Sequence, residues 1–251
     1  MTSHRRIEVV PVLGLPEFAA GDSVAAAVCR AAKILEGDVV AISQKAVSKA
    51  EGRLRRLVDV EPGDEARRLA AELDRDAREI ELILSESAAV LRAERGTLIT
   101  RTRHGFVCAN AGIDGSNMPA SGTVALLPED PDGSARRIRA EIRERTGRKV
   151  GVIVTDSFGR AWRVGQSEVA IGCAGLEPLD DWRGRTDSAG RPLAATLIAI
   201  ADQAAAASDL VRDKTSGNPV SVVRGLSNHV TAADGPGAAA IVRPEAEDLF
   251  L

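Results

Sequence analysis

Two aspartates stand where a carboxylate can meet a ligand. Asp114 lies in NAGIDGSN and Asp156 in VGVIVTDSFGR, each just past a run that reads as a strand. A carboxylate at the carboxyl end of a strand is well placed to face a crevice. Two of them converging, with the Ser157 hydroxyl beside one, would suit a hard divalent cation, which takes carboxylate, hydroxyl and water oxygens. The same placement equally suits a turn former or a helix cap. Asn117, in the same loop as Asp114, can donate to a phosphate or a base.

Three further segments carry polar chemistry. Lys45 and Lys49, in SQKAVSKAEGR, are four apart and would share a helix face. They could meet phosphate oxygens or form a solvated basic surface. In GRAWRVGQ, Arg160 and Arg163 flank Trp162. Arginine suits bidentate recognition of phosphate or carboxylate, whereas Trp162 reads as well as a core or dimer-interface residue. Arg212–Asn218 (RDKTSGN) is a polar, glycine-containing stretch that reads as a phosphate-facing loop or a plain surface loop.

Several chemistries are disfavoured. The sequence has no GxxxxGK[ST], no GxGxxG after a strand and no GxSxG. His4, His104 and His229 have no metal-ligand spacing, and Cys29, Cys108 and Cys173 are scattered without a CxxC pair. A zinc site, a disulfide framework and a Ser-His-Asp triad are poorly supported, and a reducing cytoplasm fits best. The net charge is −3, aromatics make up 2% of residues and there is no Tyr, so a nucleic-acid stacking platform is not expected. No segment approaches the roughly 20 apolar residues of a membrane span, and the start lacks an apolar signal core.

The elements that must position these groups follow from pattern. Residues 7–13 read as a strand, 23–35 as a helix capped by Asp22-Ser23 and stopped at Gly37, and 38–42 as a buried strand. Residues 64–90 read as two amphipathic helices broken near Asp74. Residues 97–103 and 106–109 read as a hairpin, and 121–127 as a strand. Ser134 is a cap candidate for a helix stopped at Gly147. Residues 150–155 read as a buried strand, 193–211 as a helix and 219–224 as a late strand. The incomplete alternation of strands and helices predicts a mixed α/β, or α+β, class. Residues 1–251 read as one functional unit without an evident linker.

Taken together these segments resemble the coenzyme F420-0:L-glutamate ligase (F420 gamma-glutamyl ligase) family. The match rests on VPVLGLPEF, SKAEGR, VCANAGIDGSN, PDGSARRIR, VGVIVTDSFGRAWRVGQ, VAIGCAGLEPLDDWRGR and VVRGL, in family order from about residue 7 to 225. NAGID followed by TDSFGR at this separation is far more specific than either motif alone. The resemblance covers the ligase unit; the nitroreductase-like domain of the family's two-domain form is not expected here.

The resemblance implies a GTP-dependent ligase that joins L-glutamate to F420-0 through an acyl phosphate, releases GDP and phosphate, and can add further gamma-linked glutamates. It implies Mg²⁺ or Mn²⁺, as one or two ions, and associates K⁺ with activity. Asp114, Asp156 and Ser157 fall on the metal positions. Leu13, Gly14, Leu15, Pro16, Gln44, Lys45, Lys49 and Asn117 fall on GTP positions, and Arg212, Asp213, Lys214, Thr215, Ser216 and Gly217 on the nucleotide loop. Some relatives hold a metal with Glu or Gln in that loop. Lys214 is the nearest equivalent and, protonated, would neutralise phosphate rather than ligate. Arg160, Trp162 and Arg163 are candidate substrate contacts. The family fold is α+β with an intertwined homodimer. The rival readings of the two aspartates are a metal-dependent phosphatase or nucleotide hydrolase, and a silent deazaflavin binder.

Overall fold

The computed structural model describes residues 6–118, 120–213 and 215–248. The chain opens with strand β1 (Glu8–Pro11), helix α1 (Val24–Ala31), strand β2 (Val39–Ser43), helix α2 (Gln44–Ala50) and strand β3 (Leu54–Arg56). The Ser23 hydroxyl accepts from the Ala26 amide at 2.9 Å, the expected N-cap. Helices α3 (Asp64–Leu73) and α4 (Ala77–Ser85) follow. Asp74 ends the first in the left-handed region (φ 53°), and the Asp76 carboxylate caps the second through the Arg78 amide. The break near Asp74 is therefore where the pattern placed it.

The next stretch departs from expectation. Strand β4 (Ser87–Glu94) pairs with β5 (Thr97–Thr102), which pairs with β6 (Val107–Ala109). The predicted hairpin is present, but residues 87–90 belong to a strand rather than to the second helix. Strand β7 (Thr123–Ala125) pairs antiparallel with β3. Helix α5 (Pro131–Thr146) begins earlier than expected. Asp130, not Ser134, is its cap, accepting from the Gly133 amide at 2.8 Å with Pro131 in the first turn. Gly147 ends it at φ 70°, a conformation glycine adopts without steric cost.

Strand β8 (Gly151–Arg160) runs past the predicted end at Thr155 and turns into β9 (Arg163–Ala174), a strand not foreseen. A small ribbon, β10 (Leu179–Asp181) with β11 (Leu197–Ala199), precedes helix α6 (Ile200–Asp209), which is shorter than the predicted 193–211. Strand β12 (Val220–Arg224) completes the chain's main elements.

Five strands form the central sheet in the order β1-β12-β2-β8-β9, with β2 and β8 parallel and the other neighbours antiparallel. Side chains alternate across it. Val40, Ile42, Val152 and Val154 pack with α1 and α5, whereas Val39, Ala41 and Ile153 pack with α6. A third core joins α3 and α4 to Leu98, Ile113, Val124 and Leu126. The architecture is mixed α+β, as predicted. A Cβ placed on Gly172 of β9 would stand 2.3 Å from the Pro131 carbonyl oxygen, so α5 approaches the sheet as closely as a glycine allows. No helix among the described residues is long and apolar enough to cross a membrane.

Candidate active site

The sheet brings four segments to one edge. Ser43, at the end of β2, pairs with Thr155 of the parallel β8, so α2 starts beside Asp156. Strand β12 runs opposite to β2 and starts with Val220 beside Ile42, so residues 215–219 arrive at that edge. Pro11 pairs with Ser221, which delivers residues 12–18 to the same place, and the Val12 amide bonds the Val220 carbonyl at 2.9 Å.

A cleft of about 460 Å³ opens there. Pro16, Glu17 and Phe18 form one wall, and Lys45 and Lys49 from α2 a second. Asn117 and Met118 contribute from the loop, and Arg212, Asp213, Thr215 and Gly217 from the segment before β12. Lys45 and Lys49 do share a helix face. Lys49 Nζ pairs with Glu17 and donates to the Asn117 carbonyl at 3.0 Å. Asn117 itself takes φ 56°, a turn conformation that asparagine tolerates.

The two carboxylates differ in their surroundings. Lys45 Nζ meets Asp114 Oδ2 at 2.7 Å, and the Ser116 amide donates to Asp114 Oδ1 at 2.6 Å. Burial pushes the Asp114 carboxyl up, but Lys45 and Ser116 outweigh it and leave the group below the ordinary carboxylate range. Asp156 behaves oppositely. Burial, then the charges of Glu168 and Asp114, push its carboxyl up to about 8 against the pull of the Ser157 amide and Lys45. Among the described residues no Lys or Arg side chain lies within ion-pair distance of Asp156. The charge of Asp114 reaches Asp156, so the two motif aspartates lie within electrostatic range of one another.

Among the described residues no three His, Cys, Asp or Glu side chains are grouped to hold a metal ion by themselves. A divalent cation at this edge would meet the Asp114 and Asp156 carboxylates and take its remaining ligands from water and substrate phosphates. The donor set fits on chemical grounds: a half-buried carboxylate repelled by its neighbours gains most from an added cation.

The remaining candidates are placed unequally. Leu13, Gly14 and Leu15 precede the cleft wall and do not line it, whereas Pro16 does. Gln44 is fully buried, its Oε1 accepting from Ser48 at 2.9 Å and its Nε2 without a hydrogen-bond partner among the described residues. Arg212 turns its guanidinium inward, donating to Thr155 and Ser208. Asp213 caps its own turn through the Thr215 amide and hydroxyl, both at 2.7 Å, and Ser216 bonds back to the Asp213 carbonyl. Lys214 lies outside the described residues. Arg160, Trp162 and Arg163 occupy the tip of the β8–β9 hairpin and none of them lines the cleft.

One residue escaped the sequence reading. Glu168, on β9, lies directly across from Ser157, is 5% exposed and lines the cleft. It accepts from Ser157 Oγ at 2.6 Å and from Arg212 Nη2 at 3.1 Å. Only a strand register places it there, and β9 was not anticipated.

The family model for F420-0:Gamma-glutamyl ligase matches residues 13–225. The chain belongs to this family. A coenzyme F420:L-glutamate ligase of Methanopyrus kandleri is 43% identical over 247 residues, covering 98% of this chain and 97% of its own. The protein of that name from Methanothermobacter thermautotrophicus is 40% identical, with 97% and 98% covered. The one from Archaeoglobus fulgidus is 41% identical, with 98% and 96% covered. The matched span includes every segment of this F420-0:gamma-glutamyl ligase family chain that meets at the cleft.

Proposed function

We propose that the chain is a GTP-dependent ligase that joins L-glutamate to coenzyme F420-0, with one or two Mg²⁺ or Mn²⁺ ions held by Asp114, Asp156 and Ser157. The observation that carries this reading is a cleft lined by Lys45 and Lys49, with Asp114 paired to Lys45 just outside the lining and Asp156 within its electrostatic reach, in a chain whose relatives are named F420:L-glutamate ligases.

In the proposed first step, a carboxylate oxygen of F420-0 attacks the γ-phosphorus of GTP, the bond to the β-phosphate oxygen breaks and GDP leaves. The glutamate amine then attacks the acyl carbon, the acyl–oxygen bond breaks and inorganic phosphate departs. The amine proton passes to phosphate or solvent. Phosphoryl transfer of this kind needs positioning and charge neutralisation more than a protein nucleophile, which accounts for the lack of a histidine base. A divalent cation held by Asp114 and Asp156 would supply that neutralisation.

The chain's own residues supply the rest. Lys45 and Lys49 reach phosphate oxygens from α2. Asp114 and Asp156 would hold the cation beside them, and Arg212, Asp213, Thr215 and Gly217 line the cleft before β12. Repetition of the cycle on the γ-carboxylate adds further glutamates. Assembly as a homodimer belongs to the same reading, and it would cover the exposed Trp162 and Val164 at the β8–β9 tip.

Phosphate release from GTP tests it. With Mn²⁺ present, release should require both F420-0 and glutamate. Release with neither would replace this reading with a metal-dependent nucleotide hydrolase.

A further inference from the structure

We propose that Arg75 is a positioning residue that sets the Asp114 carboxylate at the cleft by holding the turn that leads to it. The inference rests on the metal reading above and extends it to a residue that does not line the cleft.

The turn after β6 has a costly backbone. Asn110, Ala111 and Gly112 take φ of 55°, 53° and 72°, three left-handed residues in succession. Glycine adopts that region freely and asparagine tolerates it, but alanine does so only against steric resistance. Such a conformation persists where its surroundings over-determine it. Ala111 is 1% exposed and belongs to the third core. A Cβ on Gly112 would stand 2.8 Å from the Leu127 side chain, and the Ile113 amide closes the turn on the Asn110 carbonyl at 2.9 Å. The first residue of the turn is held by its side chain, with Arg75 Nη1 donating to Asn110 Oδ1 at 2.7 Å.

Arg75 is itself tied down. It lies between α3 and α4 with its side chain 14% exposed, and its Nη2 pairs with Glu79 Oε1 at 2.6 Å. Nη1 also donates to the Gly96 carbonyl, in the β4–β5 turn, at 3.2 Å. One planar guanidinium thus joins three turns, a geometry that a lysine ammonium cannot reproduce. Beyond the turn the chain extends, and Asp114 exchanges backbone bonds with Ala125 at 3.2 and 2.9 Å. Its carboxylate then meets Lys45 Nζ and the Ser116 amide. Release of Asn110 would let the turn relax and shift Asp114 away from both.

The test uses the full chain without nucleotide and reads two quantities. Mn²⁺ affinity comes from the electron paramagnetic resonance signal of free aqueous Mn²⁺. Hydrogen exchange of the Ser116 amide reports its bond to Asp114 with no metal present. Arg75→Met removes the donors and leaves Glu79, 31% exposed, to solvent. It should weaken Mn²⁺ binding about fivefold and speed Ser116 exchange by a similar factor. Asn110→Gly keeps the left-handed backbone without the acceptor and should do the same. Asn110→Asp keeps both and should stay within about twofold of wild type. Combining Arg75→Met with Asn110→Gly should add less than about twofold to either alone, because the two act as one unit. A lower urea midpoint in Arg75→Met with both readouts at wild type would make Arg75 merely structural and overturn the proposal. So would wild-type Mn²⁺ affinity in Arg75→Met beside weakened binding in Asp114→Asn. If Asp114→Asn binds Mn²⁺ as wild type does, the metal reading falls, and Ser116 exchange alone decides whether Arg75 sets Asp114.

Discussion

Lys45 Nζ and Asp114 Oδ2 stand 2.7 Å apart, joining the helix that leaves the central sheet to the loop that follows the three-stranded sheet. The contact is partly solvent-exposed, so it contributes little to stability, on the order of 0–1 kcal/mol. Its value lies in placing an ammonium at the cleft. Lys45→Met should leave the thermal midpoint within a few degrees of wild type and weaken binding of a non-hydrolysable GTP analogue by about tenfold or more. Calorimetry would check both; unchanged nucleotide affinity would remove Lys45 from the site.

Asp156 carries a pH prediction. Its carboxyl titrates near 8 in the folded, metal-free chain because of burial and the charges of Glu168 and Asp114. In the unfolded chain it titrates near 4. Between these values the folded state holds a proton that the unfolded state lacks. Its contribution to stability is complete below about pH 4 and is lost as pH rises to about 8, at a slope of up to roughly 1.4 kcal/mol per pH unit. Asp156→Asn should flatten that slope in urea melts taken across this range. It should also reduce turnover by about a hundredfold or more. Mn²⁺ competes with the same proton, so its affinity for the wild-type chain should rise with pH and level off above about 8.

Lys49, on the same helix face as Lys45, is held by Glu17 and the Asn117 carbonyl. Lys49→Ala should weaken GTP binding more than deazaflavin binding. Equal losses for the two ligands, measured by titration calorimetry, would reassign it to general support of the cleft.

Much of this site was legible in sequence because strand ends are legible. VGVIVT followed by Asp and a glycine-rich loop around Asp114 announce where carboxylates leave a sheet, whichever partner strands they find. Glu168 was not legible, because its meaning comes from facing Ser157 across β9. The strand's opening residues, Arg163 to Gln166, are exposed and include Gly165, so no buried alternation leads up to Glu168. Gln44 shows the complementary limit. Its spacing from Lys45 is plain, but only the packing of α2 reveals that its side chain turns into the core and bonds Ser48. In β4, Ala, Leu, Arg and Glu favour a helix locally, and the pairing with β5 overrides them.

The close approach of α5 to β9 gives a prediction about the scaffold alone. A methyl at Gly172 would press on the Pro131 backbone, which opens the helix. Gly172→Ala should destabilise the chain by about 1–3 kcal/mol, seen as a lower urea midpoint with little change in the slope. Wild-type stability would mean that α5 can retreat without cost.

The central claim is that this cleft couples GTP cleavage to formation of a glutamyl amide. Mass spectrometry of products from F420-0, L-glutamate, GTP and Mn²⁺ tests it most directly. The account predicts F420 species heavier by one or more glutamyl units, formed together with GDP and phosphate and lost in Asp156→Asn. GDP and phosphate appearing while F420-0 keeps its starting mass would contradict it.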